Sequence, residues 1–251
     1  MTELLVDVGN TRVKWASVDE QGRLAPQQAA GHANWTVDDW ERALFATPGI
    51  ARVAAASVAG PASRRALLEA AERRGVTDVR FVTSTADACG VRNAYHDPSL
   101  LGVDRWAAVV GAYHLRGACC VVDVGTAATV DAVDAGGQHL GGFIVPGPQL
   151  MVRSLLTQTS DLAAHTAASC EGRTTDFADN TREAIERGCR VALASLVDRA
   201  HADLERATGT RAALLITGGA APDVLPYVLA RVEHVPELVL HGVARLARAG
   251  P

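Results

Sequence analysis

The chain has 251 residues, of which 48% are hydrophobic and 21% are charged, and this composition is typical of a globular protein with a sizeable core. Its formal net charge of −4 excludes the broad basic surface by which proteins usually bind nucleic acid or anionic membranes. A small anionic ligand would therefore have to be held locally, by backbone amides, individual cations or a metal ion.

The sequence carries no signal for secretion or for membrane insertion. Its first ten residues, MTELLVDVGN, lead directly into a predicted strand, and no apolar run approaches the ~20 residues of a membrane span. The cysteines are odd in number and form no CxxC motif, so we interpret them as small buried side chains; they are Cys89, Cys119, Cys120, Cys170 and Cys189. These features predict a protein of the reducing cytosol.

Predicted strands and helices alternate along the chain, which favours an α/β fold. In the first part we predict strands over residues 4–8, 13–18, 53–58 and 79–82, with helices over 37–45 and 63–74. The second part has a helix over 104–115, strands over 120–124, 128–133 and 139–145, helices over 148–159 and 181–207, a strand over 214–216, and helices over 224–230 and 238–247. We place the boundary between two halves at residues 100 and 101.

Two segments of the chain have similar sequence patterns. LLVDVGNTRVKWA near the start and VVDVGTAATVDAV in the middle both read as strand, Asp-Val-Gly, hydroxyl residue, strand. A single strand followed by Asp-x-Gly is common, because Asp and Gly are ordinary turn residues. Two copies in matching contexts instead indicate duplication of one α/β unit.

The segment DVGNTRVK, from Asp7 to Lys14, has the composition of a phosphate-binding turn. Asp7 ends a predicted buried strand, where a carboxylate needs compensation by a metal ion or by hydrogen-bond donors. Gly9 lets the backbone approach a phosphate, Asn10 and Thr11 add donors, and Lys14 adds a positive charge. Successive turn amides can also form an anion-binding nest. The alternative is a plain hairpin between two strands.

Two further loops have related composition. The second Asp-Val-Gly turn offers Asp123 and Thr126 but has no lysine. Thr217, Gly218 and Gly219 follow a predicted buried strand, and such small residues would let a flat adenosine ring lie against the backbone. Taken alone, a Thr-Gly-Gly sequence is more often a plain loop.

Between the two turns, the sequence GVDRWAAVVGAY opens a predicted helix with Asp104 and Arg105. An Asp at this position is favoured simply as a cap or first-turn residue. In the functional interpretation, Asp104 is the general base that takes the proton from an acceptor hydroxyl. Arg105 would then clamp a substrate carboxylate with two hydrogen bonds.

Six motifs in order resemble the type III pantothenate kinases, a family of the acetate and sugar kinase, heat-shock-70 and actin superfamily. The motifs are DVGNTRVK (7–14), GVDR (102–105), DVGTAAT (123–129), GGFIVPG (141–147), NTREAIERG (180–188) and TGG (217–219). The resemblance spans essentially the whole chain. It implies a duplicated ribonuclease-H-like fold, with half-domains at 1–100 and 101–251 and an ATP cleft between them.

The resemblance also implies which residues bind nucleotide and metal. ATP is expected to contact Thr126 and the first turn, which consists of Asp7, Val8, Gly9, Asn10, Thr11, Arg12, Val13 and Lys14. Mg²⁺ is expected near Asp7, and a monovalent cation, K⁺ or NH₄⁺, is expected at Asp123.

For the acceptor, the resemblance implies a pantothenate-binding segment with Asp104 as proton acceptor and Arg105 on the pantothenate carboxylate. The substrate-binding residues implied are Tyr95, Gly102, Val103, Asp104, Arg105 and Thr181. The family works as a homodimer with the pocket near the interface, so Thr181 is expected to act on the neighbouring subunit's site.

The expected reaction is phosphorylation of pantothenate by ATP to 4'-phosphopantothenate, the first step of coenzyme A synthesis. Two alternatives stay open at this point. One is a kinase of the same superfamily that acts on a sugar or a carboxylate, against which GVDR and Tyr95 argue. The other is a non-catalytic, nucleotide-binding regulatory factor, which would have no need of Asp104.

Overall fold

The computed structural model describes residues 2–158 and 177–249. The described chain separates into two compact units. The first unit comprises the residues up to Gly117, the segment Val133–Gly141 and the residues from Pro236 onward, while the second comprises Ala118–Ala132 and Gly142–Val235. This division differs from the predicted boundary at residues 100 and 101, because the helix that follows residue 101 packs within the first unit.

The first unit is built on a five-stranded sheet. Its strands are β1 (Thr2–Val8), β2 (Arg12–Val18), β3 (Gln28–Gly31), β4 (Ile50–Ser57) and β5 (Asp78–Phe81), and their order across the sheet is β3-β2-β1-β4-β5. β1 is antiparallel to β2, and β2 to β3, whereas β4 lies parallel to both β1 and β5. The carboxyl ends of the parallel strands β1 and β4 therefore meet at one edge of the sheet, where the first Asp-Val-Gly turn begins.

A second five-stranded sheet, most of which lies in the second unit, repeats this arrangement. Its strands are β8 (Cys119–Val124), β9 (Ala127–Val133), β10 (His139–Pro146), β11 (Ala213–Thr217) and β12 (Val232–His234), in the order β10-β9-β8-β11-β12. Counted from the first strand of each sheet, this is the order of the first unit, and β11 is again parallel to both neighbours. The duplicated α/β fold predicted from the sequence is confirmed. A short hairpin of β6 (Asp87–Ala88) and β7 (Val91–Arg92) precedes the second sheet in the chain.

Helices cover the sheets and supply two separate cores. They are α1 (Val37–Leu44), α2 (Pro61–Arg73), α3 (Val103–Arg116), α4 (Pro148–Gln158), α5 (Thr181–Thr208), α6 (Ala221–Val224) and α7 (Leu238–Ala249). In the first core, Trp40 and Leu44 of α1 and Leu67 of α2 pack on the apolar residues of β1 and β4. In the second core, Leu193 and Val197 of α5 pack on β8 and β11.

The start of α1 is fixed by a capping box. The Thr36 hydroxyl faces the Asp39 amide, and the Asp39 carboxylate accepts a hydrogen bond from the Thr36 amide at 2.9 Å. Such a reciprocal cap satisfies two donors that the first helical turn otherwise leaves without partners. It also fixes the direction in which α1 leaves the segment after β3, and so places Trp40 inside the core.

The predicted helix over residues 224–230 is wrong. The helix α6 ends at Val224, a 3₁₀ turn covers Leu225–Tyr227, and the chain then extends into β12, which the sequence analysis does not predict. Pro226 has no amide proton to continue a helix. The Asp198 carboxylate accepts hydrogen bonds from the Leu229 and Ala230 amides at 3.0 and 2.9 Å, which holds this segment extended.

The four described cysteines are free thiols, and three of them, Cys119, Cys120 and Cys189, are buried. Burial raises the pKa of the Cys119 and Cys120 thiols to about 12. Both are therefore protonated and inert at neutral pH. Cys170 and the predicted end of α4 at residue 159 lie outside the described residues.

Candidate active site

The first Asp-Val-Gly turn is a three-residue connection between β1 and β2. The Gly9 amide donates a hydrogen bond to the Arg12 carbonyl at 3.0 Å, which closes the turn. Val8 and Val13 on either side are fully buried, whereas Asn10, Thr11 and Arg12 are exposed. The flanking valines thus anchor the turn in the core while its tip faces solvent.

Asp7 and Lys14 form an ion pair at the base of this turn. The two residues are register partners across β1 and β2, and Lys14 Nζ lies 3.7 Å from Asp7 Oδ2. The Lys14 side chain is 15% exposed and the Asp7 side chain is 8% exposed. Each charge therefore compensates the other in an environment that contains little water. Removing one partner of such a pair typically costs about 3–5 kcal/mol of stability, because the other charge is left buried.

A histidine that belongs to none of the sequence motifs contacts the first turn. His32 Nε2 donates a hydrogen bond to the Gly9 carbonyl at 2.7 Å, and the side chain is buried. Its ring centroid lies 5.3 Å from that of Trp40. The signal that would have revealed this role is long-range, because only the pairing of β3 with β2 brings residue 32 beside the turn.

The second Asp-Val-Gly turn is shorter, with two residues, Gly125 and Thr126, between β8 and β9. The Gly125 amide donates to the Ala127 carbonyl at 3.0 Å, and both turn residues are exposed. Asp123, at the end of β8, is partly buried and is the register partner of Thr217 on β11. The Gly147 amide donates to the Thr126 carbonyl at 2.8 Å.

The Thr-Gly-Gly loop lies directly against the second turn. Gly218 has a φ of +98°, and a Cβ at this position would collide with the Asp123 carboxylate and with the backbone of Val124. The Ala220 amide also donates to the Val124 carbonyl at 2.9 Å. Glycine is required here both by its backbone conformation and by the close approach of Asp123. The structure therefore brings these two predicted loops together.

Asp104 lies in the first turn of α3, and its carboxylate folds back over the start of the helix. Asp104 Oδ1 accepts a hydrogen bond from the Arg105 amide at 2.8 Å. The helix N-cap is Gly102, and a Cβ on Gly102 would lie 2.7 Å from the same oxygen. A negative charge is stabilised at a helix N-terminus, and the missing side chain at residue 102 leaves the space that this carboxylate occupies.

Arg105 and Tyr95, both predicted to contact substrate, are in direct contact. Arg105 as a whole residue is 6% exposed, and its guanidinium Nη1 donates to the Tyr95 hydroxyl at 2.9 Å. The Tyr95 ring stacks on the His139 ring, with centroids 6.4 Å apart and planes inclined by 12°. His139 is fully buried and its Nδ1 faces the Ala94 amide at 3.4 Å. The sequence motifs do not include His139, which packs against one face of the Tyr95 ring.

Thr181 and Ser57 each lie at the end of a secondary-structure element. Thr181 is the first residue of α5, directly after the N-cap Asn180, whose side chain accepts a hydrogen bond from the Glu183 amide at 2.9 Å. Ser57 ends β4 as the register partner of Val8, and its buried hydroxyl has no hydrogen-bond partner among the described residues. A buried hydroxyl without a partner is costly, so a ligand atom at this edge of the sheet would stabilise it.

The residues at the two turns fit hard metal cations, which prefer oxygen ligands. No cluster of three or more His, Cys, Asp or Glu side chains suited to a metal occurs in the described part of the chain. Mg²⁺ needs no such cluster, because it takes one or two carboxylates and completes its shell with water and phosphate oxygens. Asp7 offers one such carboxylate at the base of the exposed first turn. Asp123 offers another beside the second turn.

Comparison with known proteins identifies the family of the chain. The family model described as type III pantothenate kinase matches residues 3–203. A relative from Azoarcus sp. named type III pantothenate kinase is 42% identical over 98% of this chain and 90% of its own length. One from Aromatoleum aromaticum with the same name is 40% identical over 98% of this chain and 97% of its own.

A solved structure shares the fold at low sequence identity. It is a ROK family glucokinase from Streptomyces griseus in complex with glucose and AMPPNP, with a TM-score of 0.57 and 14% identity over the full length of both chains. Among the described residues, no helix combines the length and the hydropathy needed to cross a membrane. By the extent of the family match and the identity of its relatives, the chain belongs to the type III pantothenate kinase family.

Proposed function

We propose that this chain transfers the γ-phosphoryl group of ATP to the primary hydroxyl of pantothenate, giving 4'-phosphopantothenate and ADP as the first step of coenzyme A synthesis. Membership of the family supports ATP and pantothenate as the two substrates. In this reaction the hydroxyl oxygen forms a bond to the γ-phosphorus, the bond to the β–γ bridging oxygen breaks, and the hydroxyl proton passes to a base.

The observation that carries this proposal is the adjacency of a carboxylate, a guanidinium and a phenol at the start of α3. Asp104 is the base, since its carboxylate is partly exposed at the helix N-terminus. Arg105 is held by Tyr95 at 2.9 Å and recognises the pantothenate carboxylate. Gly102 and Val103 complete the segment. A guanidinium fixed in this way places the far end of the acceptor, and so determines which hydroxyl reaches Asp104.

The phosphate chain of ATP is assigned to the two turns. The first turn contributes its exposed amides and side chains, with Lys14 as a local positive charge; its residues are Asp7, Val8, Gly9, Asn10, Thr11, Arg12, Val13 and Lys14. The second contributes Thr126, whose backbone is fixed by Gly147. Such preorganised donors stabilise the charge that spreads over the transferring phosphoryl group.

Two ions belong to the proposal. Asp7 would hold Mg²⁺ together with phosphate oxygens and water, and Asp123 would hold a monovalent cation, K⁺ or NH₄⁺. When bound, these ions neutralise charge on the phosphate oxygens. The close packing of Gly218 on Asp123 supports the second assignment, because it fixes the carboxylate in one position.

We further propose that the enzyme is a cytoplasmic homodimer, with Thr181 near the substrate site of the partner subunit. The free thiols of the described cysteines suit a reducing compartment. β10 is the edge strand of its sheet, and large apolar side chains are exposed on β10, α4 and α5. These exposed side chains are Phe143, Ile144, Leu150, Leu155 and Val191. Exposed apolar side chains on neighbouring elements are typical of protein interfaces.

A coupled ADP-release assay tests the proposed reaction. The purified chain is incubated with ATP, Mg²⁺ and K⁺, with and without pantothenate, and the product is identified by mass spectrometry. We expect ADP release that depends on pantothenate and a product carrying one added phosphoryl group. ADP release that is the same without pantothenate, no release at all, or release that depends instead on a sugar would each overturn the proposal.

A further inference from the structure

The side chain of His32 connects the core of the first unit to the first phosphate turn. Its Nε2–H donates to the Gly9 carbonyl at 2.7 Å, and only 7% of the residue is exposed. Behind the ring lies a tryptophan cluster: Trp40 is 5.3 Å from His32 and from Trp35, and Trp35 is 6.4 Å from Trp15, all measured between ring centroids. The imidazole therefore cannot turn away from the loop without disturbing this packing.

Holding the Gly9 carbonyl also fixes an amide on the other side of the same peptide. In a planar trans peptide, the carbonyl of one residue and the N–H of the next point in opposite directions. Because the Gly9 carbonyl points at His32, the Asn10 N–H points away from the core. Asn10 is exposed, and its N–H has no hydrogen-bond partner within the described part of the chain. It is thus oriented as a donor for an anion from solvent.

The second turn is held from the equivalent place in its sheet. His32 is the residue directly after β3, and Gly147 is the residue directly after β10, which occupies the same position in the second sheet. The Gly147 amide donates to the Thr126 carbonyl at 2.8 Å. In each unit, then, the first residue beyond the third strand of the sheet fixes one carbonyl of the Asp-Val-Gly turn. Only in the first unit is that donor a side chain.

We propose that His32 is a positioning residue for ATP, which orients the Gly9–Asn10 peptide so that the Asn10 N–H donates to a phosphate oxygen of the nucleotide. This inference rests on the proposed function only in taking ATP as the ligand of the first turn. It does not depend on the identity of the acceptor. Loss of the His32 donor would let the peptide rotate and would remove one oriented amide from the phosphate site.

The test uses two substitutions at His32 in the full-length chain. His32→Phe keeps an aromatic ring against Trp40 but removes the donor, whereas His32→Gln retains an N–H donor. The dissociation constant for ATP is measured by calorimetry without pantothenate, and kcat and the two KM values are measured by ADP release. We expect His32→Phe to weaken ATP binding and raise the KM for ATP by about threefold to tenfold, the factor expected for one lost hydrogen bond.

The specificity of the effect separates positioning from general destabilisation. The KM for pantothenate should stay within about twofold of the wild-type value, and His32→Gln should recover most of the ATP affinity. The chain offers a matched control in His201, whose Nε2 donates to the Ala212 carbonyl at 2.8 Å in the second unit. His201→Phe removes the same kind of bond, and we expect it to lower the melting temperature while leaving ATP binding unchanged.

Three outcomes would overturn the proposal. The first is a His32→Phe variant that binds ATP as tightly as the wild type. The second is an equal rise in both KM values, and the third is an equal loss of ATP affinity in His201→Phe. The chain could bind ATP, and lose affinity in His32→Phe as expected, without phosphorylating pantothenate. In that case the proposed reaction would fail while this inference stood. If the wild-type chain did not bind ATP, both would fail.

Discussion

The two Asp-Val-Gly turns share a backbone plan and differ in their side chains. Each follows the first strand of a sheet, and each is fixed by the residue after the third strand. The first turn has three residues, an Asp7–Lys14 ion pair and a histidine donor. The second has two residues, and its carboxylate, Asp123, packs on Gly218.

The two turns therefore offer different polar groups to a ligand. In the first turn, the largely buried Lys14 and the His32 imidazole supply polar groups, so the phosphate site that we propose there depends on side chains. In the second turn, the main polar group is the close-packed Asp123 carboxylate, which suits the small cation that we propose there. The two turns should therefore respond differently to changes in ions and to substitution of their aspartates.

The largest expected difference concerns the monovalent cation. We expect the wild-type enzyme to be faster in potassium buffer than in sodium-only buffer. Asp123→Asn should abolish that preference and lower kcat by about 10²–10³-fold, the usual cost of losing one preorganised electrostatic group. Asp7→Asn should also reduce turnover, but should keep the preference for potassium. Initial rates measured across a series of potassium and sodium concentrations check this prediction.

Equal wild-type rates in the two buffers would contradict the assignment of the cation to Asp123. Loss of the potassium preference in Asp7→Asn rather than in Asp123→Asn would reverse the roles of the two turns. Each variant needs a melting curve as a control, because Asp7→Asn leaves the Lys14 charge in a largely buried site.

A smaller effect is expected at the start of α3. Gly102→Ala would place a Cβ 2.7 Å from Asp104 Oδ1, so the carboxylate must move while the helix is retained. We expect kcat to fall by roughly 10- to 10²-fold, because displacement of a catalytic group by about 1 Å has costs of this order. The KM for ATP should change little. Steady-state kinetics together with circular dichroism provide the measurement.

The matched control for this variant is Gly60→Ala. Gly60 is also a helix N-cap without a side-chain hydrogen bond, and a Cβ there would meet no atom within 4 Å. We expect wild-type kinetics from it. A Gly102→Ala enzyme with the same kcat as Gly60→Ala would show that the space at residue 102 does not position Asp104.

Much of the fold could be predicted because its signals are local. The two Asp-Val-Gly repeats and the alternating strands and helices indicate a duplicated α/β fold, which the paired sheets confirm. Where tertiary contacts override local pattern, prediction fails. The apolar residues over 224–230 suggest a helix, but Pro226 and the distant Asp198 hold that segment in another conformation.

The residues of the candidate site also fall into two groups, those that local sequence predicts and those that it does not. Aspartates and glycines at strand ends, such as Asp7 and Gly218, can be picked out as candidate site residues because their type and spacing are typical of phosphate-binding loops. His32 and His139 cannot be picked out in this way, since each contacts a partner far away in the chain: Gly9 for His32, and Tyr95 for His139. A lone histidine has no local pattern that distinguishes a packed side chain from a positioning one.

The Asp104→Asn variant tests the proposed reaction most directly, because the turns are assigned to the nucleotide and Asp104 to the acceptor. We expect wild-type affinity for a non-hydrolysable ATP analogue and a loss of about 10²–10⁴-fold in pantothenate-dependent ADP release. Asp97→Asn, which changes an exposed carboxylate that caps the turn before α3, should keep wild-type turnover. A near-normal kcat for Asp104→Asn would contradict the central claim.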